Sequence, residues 1–259
     1  MQKFFYSLLA FFFVLTSLVS HAGGAITITY GNKYKPFAWE KNDVARGVQV
    51  EFVEEILGKK MGLKVNHEPY PWKRCQVMVK NGEKDGFFTV PTPLRSEYTL
   101  KSRIPFYETH FVMHMSKNNP KISKLRNVKS LKDLERMPEI MHVHMLGSGW
   151  HTSALENMKS VSAIPDASLI PLFLVMQRAD VYIEQDEMFR FQVKSLGLSD
   201  KILTLKEPVI RRLGWHIFIS KKSKYCALIP KINETLESLR ETGELEKIKQ
   251  RLFLRHGIE

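Results

Sequence analysis

Ile26-Thr27-Ile28-Thr29-Tyr30 opens a stretch that closes on Asp85-Gly86-Phe87-Phe88-Thr89-Val90, and the residues between these two segments decide the fold. The first segment alternates apolar and polar side chains as a strand does, and Phe52, Val53, Ile56 and Leu57 follow at helical spacing, ending near Gly62. Leu63 to Glu68 reads as a second short extended segment, Trp72 to Lys80 as a second helix, and residues 85–90 as a third strand. Strand, helix, strand, helix, strand in so short a length predicts a parallel sheet with crossover helices, because parallel neighbours cannot be joined by a tight turn.

The alternation starts again after a break. Ile140 to Met145 reads as extended, Trp150 to Met158 as helical, Ala179 to Ile183 as extended and Met188 to Leu196 as helical. The chain then returns through a strand-like Leu213 to Ser220. It finishes in helices that carry Ile232, Leu236 and Leu239, then Leu245, Ile248 and Leu252, at spacings of three and four. The expected architecture is α/β, with two similar lobes joined by short crossing strands and a ligand cleft between them. The first lobe takes residues 23–109 and the returning segment 208–259; the second takes 110–207.

Lys3, the apolar run Phe4 to Val19 and the small-residue site Ser20-His21-Ala22 read as a secretory signal peptide over residues 1–22, cleaved after Ala22. The run is broken by Ser7, Thr16 and Ser17 and is shorter than the roughly 20 residues a membrane-spanning helix needs. No cysteine stands at the cleavage point to carry a lipid. Losing one Lys from 39 basic residues against 27 acidic ones leaves a net charge of +11. Such a balance invites a nucleic-acid reading. The densest basic stretch, Lys117 to Arg136, has no interleaved aromatics for stacking bases, so a solvated face and no nucleic-acid partner are expected. Two cysteines, Cys75 and Cys226, are too few for a disulfide-built scaffold, and their spacing does not say whether they pair.

Tyr34-Lys35-Pro36-Phe37, Gly47, Pro71-Trp72-Lys73-Arg74, Gly82-Glu83-Lys84-Asp85-Gly86, Thr92-Pro93-Leu94-Arg95 and Pro105-Phe106-Tyr107 occur in an order that resembles the family 3 extracellular solute-binding proteins. These are the periplasmic receptors of polar amino acid ABC transporters. The likeness continues through Gly147-Ser148, the segment Arg178 to Glu187 and the final Gly243 to Ile248 helix. It implies a type II periplasmic-binding-protein fold, two α/β lobes with a two-strand hinge. It also implies a small-molecule ligand, an amino acid or related carboxylate, handed to an inner-membrane ABC permease by a monomeric protein that carries no cofactor.

The resemblance implies roles for particular residues. Arg95, the Arg of the T-x-x-R motif, is expected to hold the ligand's carboxylate, since a guanidinium offers a planar fork of donors and stays charged. Asp186, in its Gln185-Asp186-Glu187 context, is expected to take the ammonium from the opposite lobe. Tyr34 and Trp72 are expected to pack on the ligand, and the backbone of Gly147-Ser148 to meet the carboxylate. This chain has Thr89 and Val90 ahead of Thr92, where the family often places a hydroxyl two positions before the Thr, and Gly31-Asn32 where a small acid is expected.

Three other functions have residues to support them. A cleft acid such as Glu184 or Glu187 would serve an exported enzyme of this fold, such as a dehydratase of cyclic carboxylates, as a general acid. His142 and His144 share a strand face near Met141 and Met145, and His110, Met113, His114 and Met115 lie in another extended stretch, which raises metal capture. A sensory role is disfavoured because no membrane helix or kinase segment follows the Arg255 to Glu259 tail.

Overall fold

Two ten-residue strands, Tyr107–Ser116 and Arg211–Ser220, set the architecture of the computed structural model, which describes residues 24–146 and 148–258. The signal segment and Gly147 lie outside the described residues. The two strands run antiparallel over their first halves, Trp215 opposite Tyr107 and Arg211 opposite Phe111. They then part company. Strand Arg211–Ser220 continues beside Gly86–Thr89 and Thr99–Lys101, whereas Tyr107–Ser116 continues beside Tyr182–Gln185 and Ile202–Leu205. The chain therefore crosses twice between two sheet regions, and the crossing is a two-strand ladder.

The hydrophobic interior divides along the same line. One large cluster joins Ile26, Ile28, Phe52, Ile56 and Phe106 to Leu236, Ile248 and Leu252 of the C-terminal helices Ile229–Glu241 and Glu244–Arg255. Two others have all their buried members within residues 111–205, around Met113, Met115 and Leu134 and around Ile170, Leu174 and Phe189. Burying one apolar stripe per helix against each sheet region gives two lobes, each with its own core.

In the first lobe, strand Ile26–Gly31 is flanked in parallel by Val65–Tyr70 and Gly86–Thr89, joined by helices Val48–Val53, continuing as the π-helical Glu54–Lys60, and Trp72–Asn81. This is the parallel unit that the alternation of residues 26–90 predicts. The sequence reading passed over a three-stranded antiparallel sheet of Lys33–Tyr34, Ala38–Lys41 and Val44–Arg46. Its tight turn rests on Asn42 and Asp43, both at left-handed φ (54° and 59°), which Asn and Asp tolerate better than other side chains. Gly47 follows at φ 121°, with Phe37 O only 2.4 Å from where a Cβ would stand. That close approach lets the Gln49 N–H donate to Phe37 O at 2.9 Å and pins the Tyr34 segment to the start of the helix.

In the second lobe, His142–Met145 runs parallel to Val161–Ile164, a strand the sequence did not betray. The helix expected over 150–158 spans only Gly149–Ala154, because Leu155 and Met158 turn inward to the core around Met113. Both cysteines are free: Cys75 is fully buried, its thiol donating to Tyr30 O at 3.2 Å, and Cys226 is half-buried. Among the described residues no helix is long and apolar enough to cross a membrane, and no three His, Cys, Asp or Glu side chains converge as metal ligands. His114 contacts Thr204 Oγ1 and His144 contacts Met145 O, each at 2.9 Å.

Candidate functional site

The crossing strands form the floor of a cleft between the lobes. Its larger compartment, about 650 Å³, is bounded by Tyr34 and Val90 from the first lobe, by Trp215 from the floor, and by Ser148, Tyr182 and Glu184 from the second lobe. A second compartment of about 610 Å³ carries Arg95, Arg211 and Ser153 and shares Val90, Trp150 and Leu213 with the first. The two compartments adjoin across these three side chains. A separate hollow of about 300 Å³ lies beside Phe189 and Ile202, and among the described residues no carboxylate lines it.

Arg95 sits on the short helix Pro93–Tyr98. Thr92 caps that helix, its hydroxyl accepting from the Arg95 N–H at 3.3 Å, with Pro93 at the first position, where a missing N–H costs nothing. The Arg95 guanidinium lies 5.1 Å from the Trp72 ring centre, donates to Val90 O at 2.6 Å and reaches Gln76 Oε1 at 3.4 Å. Burial lowers its pKa, an effect that Tyr98 opposes. Among the described residues it has no carboxylate partner, so an oriented cation faces the cleft with part of its fork unused.

Trp72 backs Arg95 from below and meets Phe87 edge-on at 5.4 Å, so in this arrangement it touches the guanidinium and does not line the cleft. Thr89 is buried opposite His216, also away from the cavity, while Val90 lines both compartments. Tyr34 stacks on Phe37 at 5.4 Å and on Trp215 at 5.9 Å, part of an aromatic pile that includes Tyr107 and Phe88. Its hydroxyl is buried without a partner. Burial and then Glu184 raise its pKa well above the usual value, with Gln185 opposing.

Asp186 begins helix Asp186–Ser195 and is 9% exposed, with Oδ1 3.1 Å from Nε of Arg190 one turn along, though not aligned for a hydrogen bond. Its charge is compensated inside its own lobe, and it does not line the cleft. Two acids do, Asp166 and Glu184, and Asp166 is engaged by the Ser168 N–H and hydroxyl at 2.9 and 2.7 Å. Glu184 accepts from Tyr182 Oη at 2.6 Å and from the Gln185 N–H at 2.8 Å, and burial raises its pKa. It has no cation partner among the described residues. Beside it the Gln185 side-chain oxygen is buried and unpaired. Glu187 is held instead by the Thr109 hydroxyl at 2.7 Å.

Ser148 lines the cleft at the start of helix Gly149–Ala154, but its N–H already donates to Met145 O at 3.2 Å. The site residues that sequence reasoning missed are Tyr182, His151, Trp150 and Trp215. Some of these left a trace. Tyr182 and Glu184 are two apart on one strand and so share a face, and Ser148 and His151 are three apart at a helix start.

The model of the bacterial extracellular solute-binding proteins, family 3, matches residues 26–255. Among solved structures, an ancestral cationic amino acid solute-binding protein (AncCDT-1) is 21% identical with a TM-score of 0.66, covering 89% of this chain and 96% of that one. Another structure describes AncCDT-1 as a precursor of cyclohexadienyl dehydratase. The arginine-, lysine-, histidine-binding protein ArtJ of Geobacillus stearothermophilus is 16% identical (TM-score 0.63; 89% and 95% covered). A histidine kinase sensor domain similar to periplasmic binding proteins is 16% identical (TM-score 0.66; 88% and 95%). At such identities these likenesses show the fold. No curated protein matches the chain.

Proposed function

The chain belongs to the bacterial extracellular solute-binding proteins, family 3, and from that premise we propose that it is a periplasmic receptor that closes on a small dipolar solute, an amino acid or close relative. One observation carries this reading. Arg95 from the first lobe and Glu184 from the second, opposite in charge and each without an ionic partner among the described residues, line two adjoining compartments that share Val90, Trp150 and Leu213. A carboxylate on Arg95 and a cationic group on Glu184 give the ligand contacts to both lobes, contacts complete only when the lobes approach, so binding favours the closed state. Glu184 takes the ammonium role expected of Asp186, whose charge Arg190 already balances. The leader over residues 1–22 supports export, and the family supports delivery of the solute by a monomer to an inner-membrane ABC permease.

A second reading has its own support. Glu184 combines a raised pKa with a place in the cleft, as a general acid requires. One experiment separates the two: a thermal-shift screen across amino acids and small carboxylates, followed by mass spectrometry of the recovered ligand. The receptor reading expects a zwitterion to raise the melting temperature and to return unchanged. Converted material identifies an enzyme, and the absence of any shift removes the receptor reading.

A further inference from the structure

Four histidines are buried in the second lobe, His114, His142, His144 and His151, and none of them makes an ion pair among the described residues. Three of them surround strand Tyr182–Gln185, which carries Tyr182 and Glu184 into the cleft. His151 Nε2 lies 2.7 Å from Ile183 O, and His114 Nε2 lies 3.3 Å from Glu184 O. A carbonyl can only accept, so both rings carry their proton on Nε2 and donate it to successive carbonyls of the strand. Their Nδ1 atoms accept from the Ser148 hydroxyl at 2.7 Å and the Thr204 hydroxyl at 2.9 Å. His142 is bridged to Val181 at the entrance to the strand, and neither of its ring nitrogens has a hydrogen-bond partner among the described residues.

Burial pushes the pKa down to about 3 for His114 and to about 4 for His142 and His151. The charges facing these rings give little relief. Arg190 faces His114, and His144 stacks on His151 at 5.6 Å; both oppose an added positive charge. Asp180 faces His142 and favours its cation, but that carboxylate already accepts from Lys121 at 2.6 Å and from the Met141 N–H at 2.8 Å. Asp186 is taken up by Arg190. In the unfolded chain a histidine titrates near 6.5. An opened segment therefore binds up to three more protons than the folded one between about pH 6.5 and about pH 4, of which Glu184, its own pKa raised by burial, offsets one. Stability from the three histidines is complete above that window and is lost as pH falls through it.

The first lobe is built differently. His67 contacts Glu54 at 3.0 Å and His256 contacts Glu51 at 2.8 Å, so each has a carboxylate beside it. His216 is buried there, its pKa pushed down to about 4 by burial and then by Lys101, one such group against three.

We propose that the second lobe is an acid-sensitive gate: His114, His142 and His151 hold strand Tyr182–Gln185 in place, and acidification releases that strand, and with it the second-lobe wall of the cleft, while the first lobe stays folded. This sensitivity belongs to the unliganded chain and does not depend on what the cleft binds.

The test is hydrogen exchange of the unliganded protein in steps from about pH 7.5 to about pH 4.5, read as protection factors after correction for intrinsic exchange. Protection of residues 142–145 and 181–185 should fall with acid, by up to about tenfold per pH unit for each histidine protonated on opening, while that of residues 26–31 and 86–89 changes less. His142→Leu removes one titration and breaks no hydrogen bond of the ring. It should reduce the loss at residues 181–185 by up to about tenfold per pH unit below about pH 6 and leave protection at neutral pH near that of wild type. His142→Gln, neutral at every pH, reads the same slope if leucine disturbs the packing. A merely structural role for His142 would change protection by one factor at every pH. The proposal is overturned if the two lobes lose protection in parallel, if the first lobe opens first, if protection in the second lobe does not fall with acid, or if both His142 variants keep the wild-type slope.

Discussion

Replacing Arg95 with alanine separates its role in binding from its role in folding. In the structure its guanidinium is held over Trp72 at 5.1 Å and by Val90 O at 2.6 Å, with part of the fork free to meet a carboxylate. Two charge-assisted hydrogen bonds at about 1.5–3 kcal/mol each give a loss of about 3–6 kcal/mol in binding. That corresponds to roughly a hundred-fold to ten-thousand-fold rise in Kd. On the folding side the variant loses two hydrogen bonds and one cation–π contact at a half-buried position, about 1.5–4 kcal/mol together. Arg95→Lys keeps the charge without the fork and should fall between the two. The assay is titration calorimetry with the zwitterion that most stabilises the wild type, alongside urea unfolding of each variant. An Arg95→Ala protein whose Kd stays within about threefold of wild type refutes the clamp, because a tenfold change is only about 1.4 kcal/mol.

Three further outcomes follow from single residues. Burial raises the Glu184 pKa above its ordinary 4.5, so the folded protein binds a proton there more tightly than the unfolded chain does; unliganded stability from this group falls as pH rises through that window. Glu184→Gln should flatten that fall in pH-dependent urea unfolding and weaken binding of a cationic ligand by about 10- to 150-fold; equal pH profiles for the two proteins contradict it. Cys75, fully buried and with its thiol pKa pushed up to about 11, should resist a thiol reagent at neutral pH until the protein unfolds, while Cys226 reacts in the native state. Gly47→Ala sets a Cβ 2.4 Å from Phe37 O at φ 121° and should cost at least about 2 kcal/mol in urea unfolding, an effect absent if the hairpin moves freely.

The parallel unit of the first lobe was legible because its pattern is local: alternation over 26–30, helical spacing over 52–57 and an apolar strand at 86–89. The repeated alternation led to the expectation of crossing strands, but their register was not legible, since pairing Tyr107 with Trp215 joins residues far apart in the chain. The hairpin of residues 33–46 escaped for a different reason. Its strands are two to four residues long, too short to show a period, and only the Asn42-Asp43 turn marked it. Arg95 was legible through the resemblance, whose T-x-x-R motif coincides here with the Thr92 cap and the Pro93 that start the helix. Which acid stands uncompensated in the cleft was not, because Asp186 and Glu184 differ only in what lies beside them: Arg190 one turn along for the first, Tyr182 on the same strand face for the second. The Ser148 backbone N–H likewise looked free for a carboxylate, but it donates to Met145 O.

The most direct measurement is a crystal structure of the protein with the best stabilising zwitterion from the screen. A ligand lodged between the lobes, with its carboxylate bound by Arg95 and its cationic group against Glu184, is the predicted result. A ligand bound outside the cleft, or one lying in it with its carboxylate against Glu184, contradicts the account.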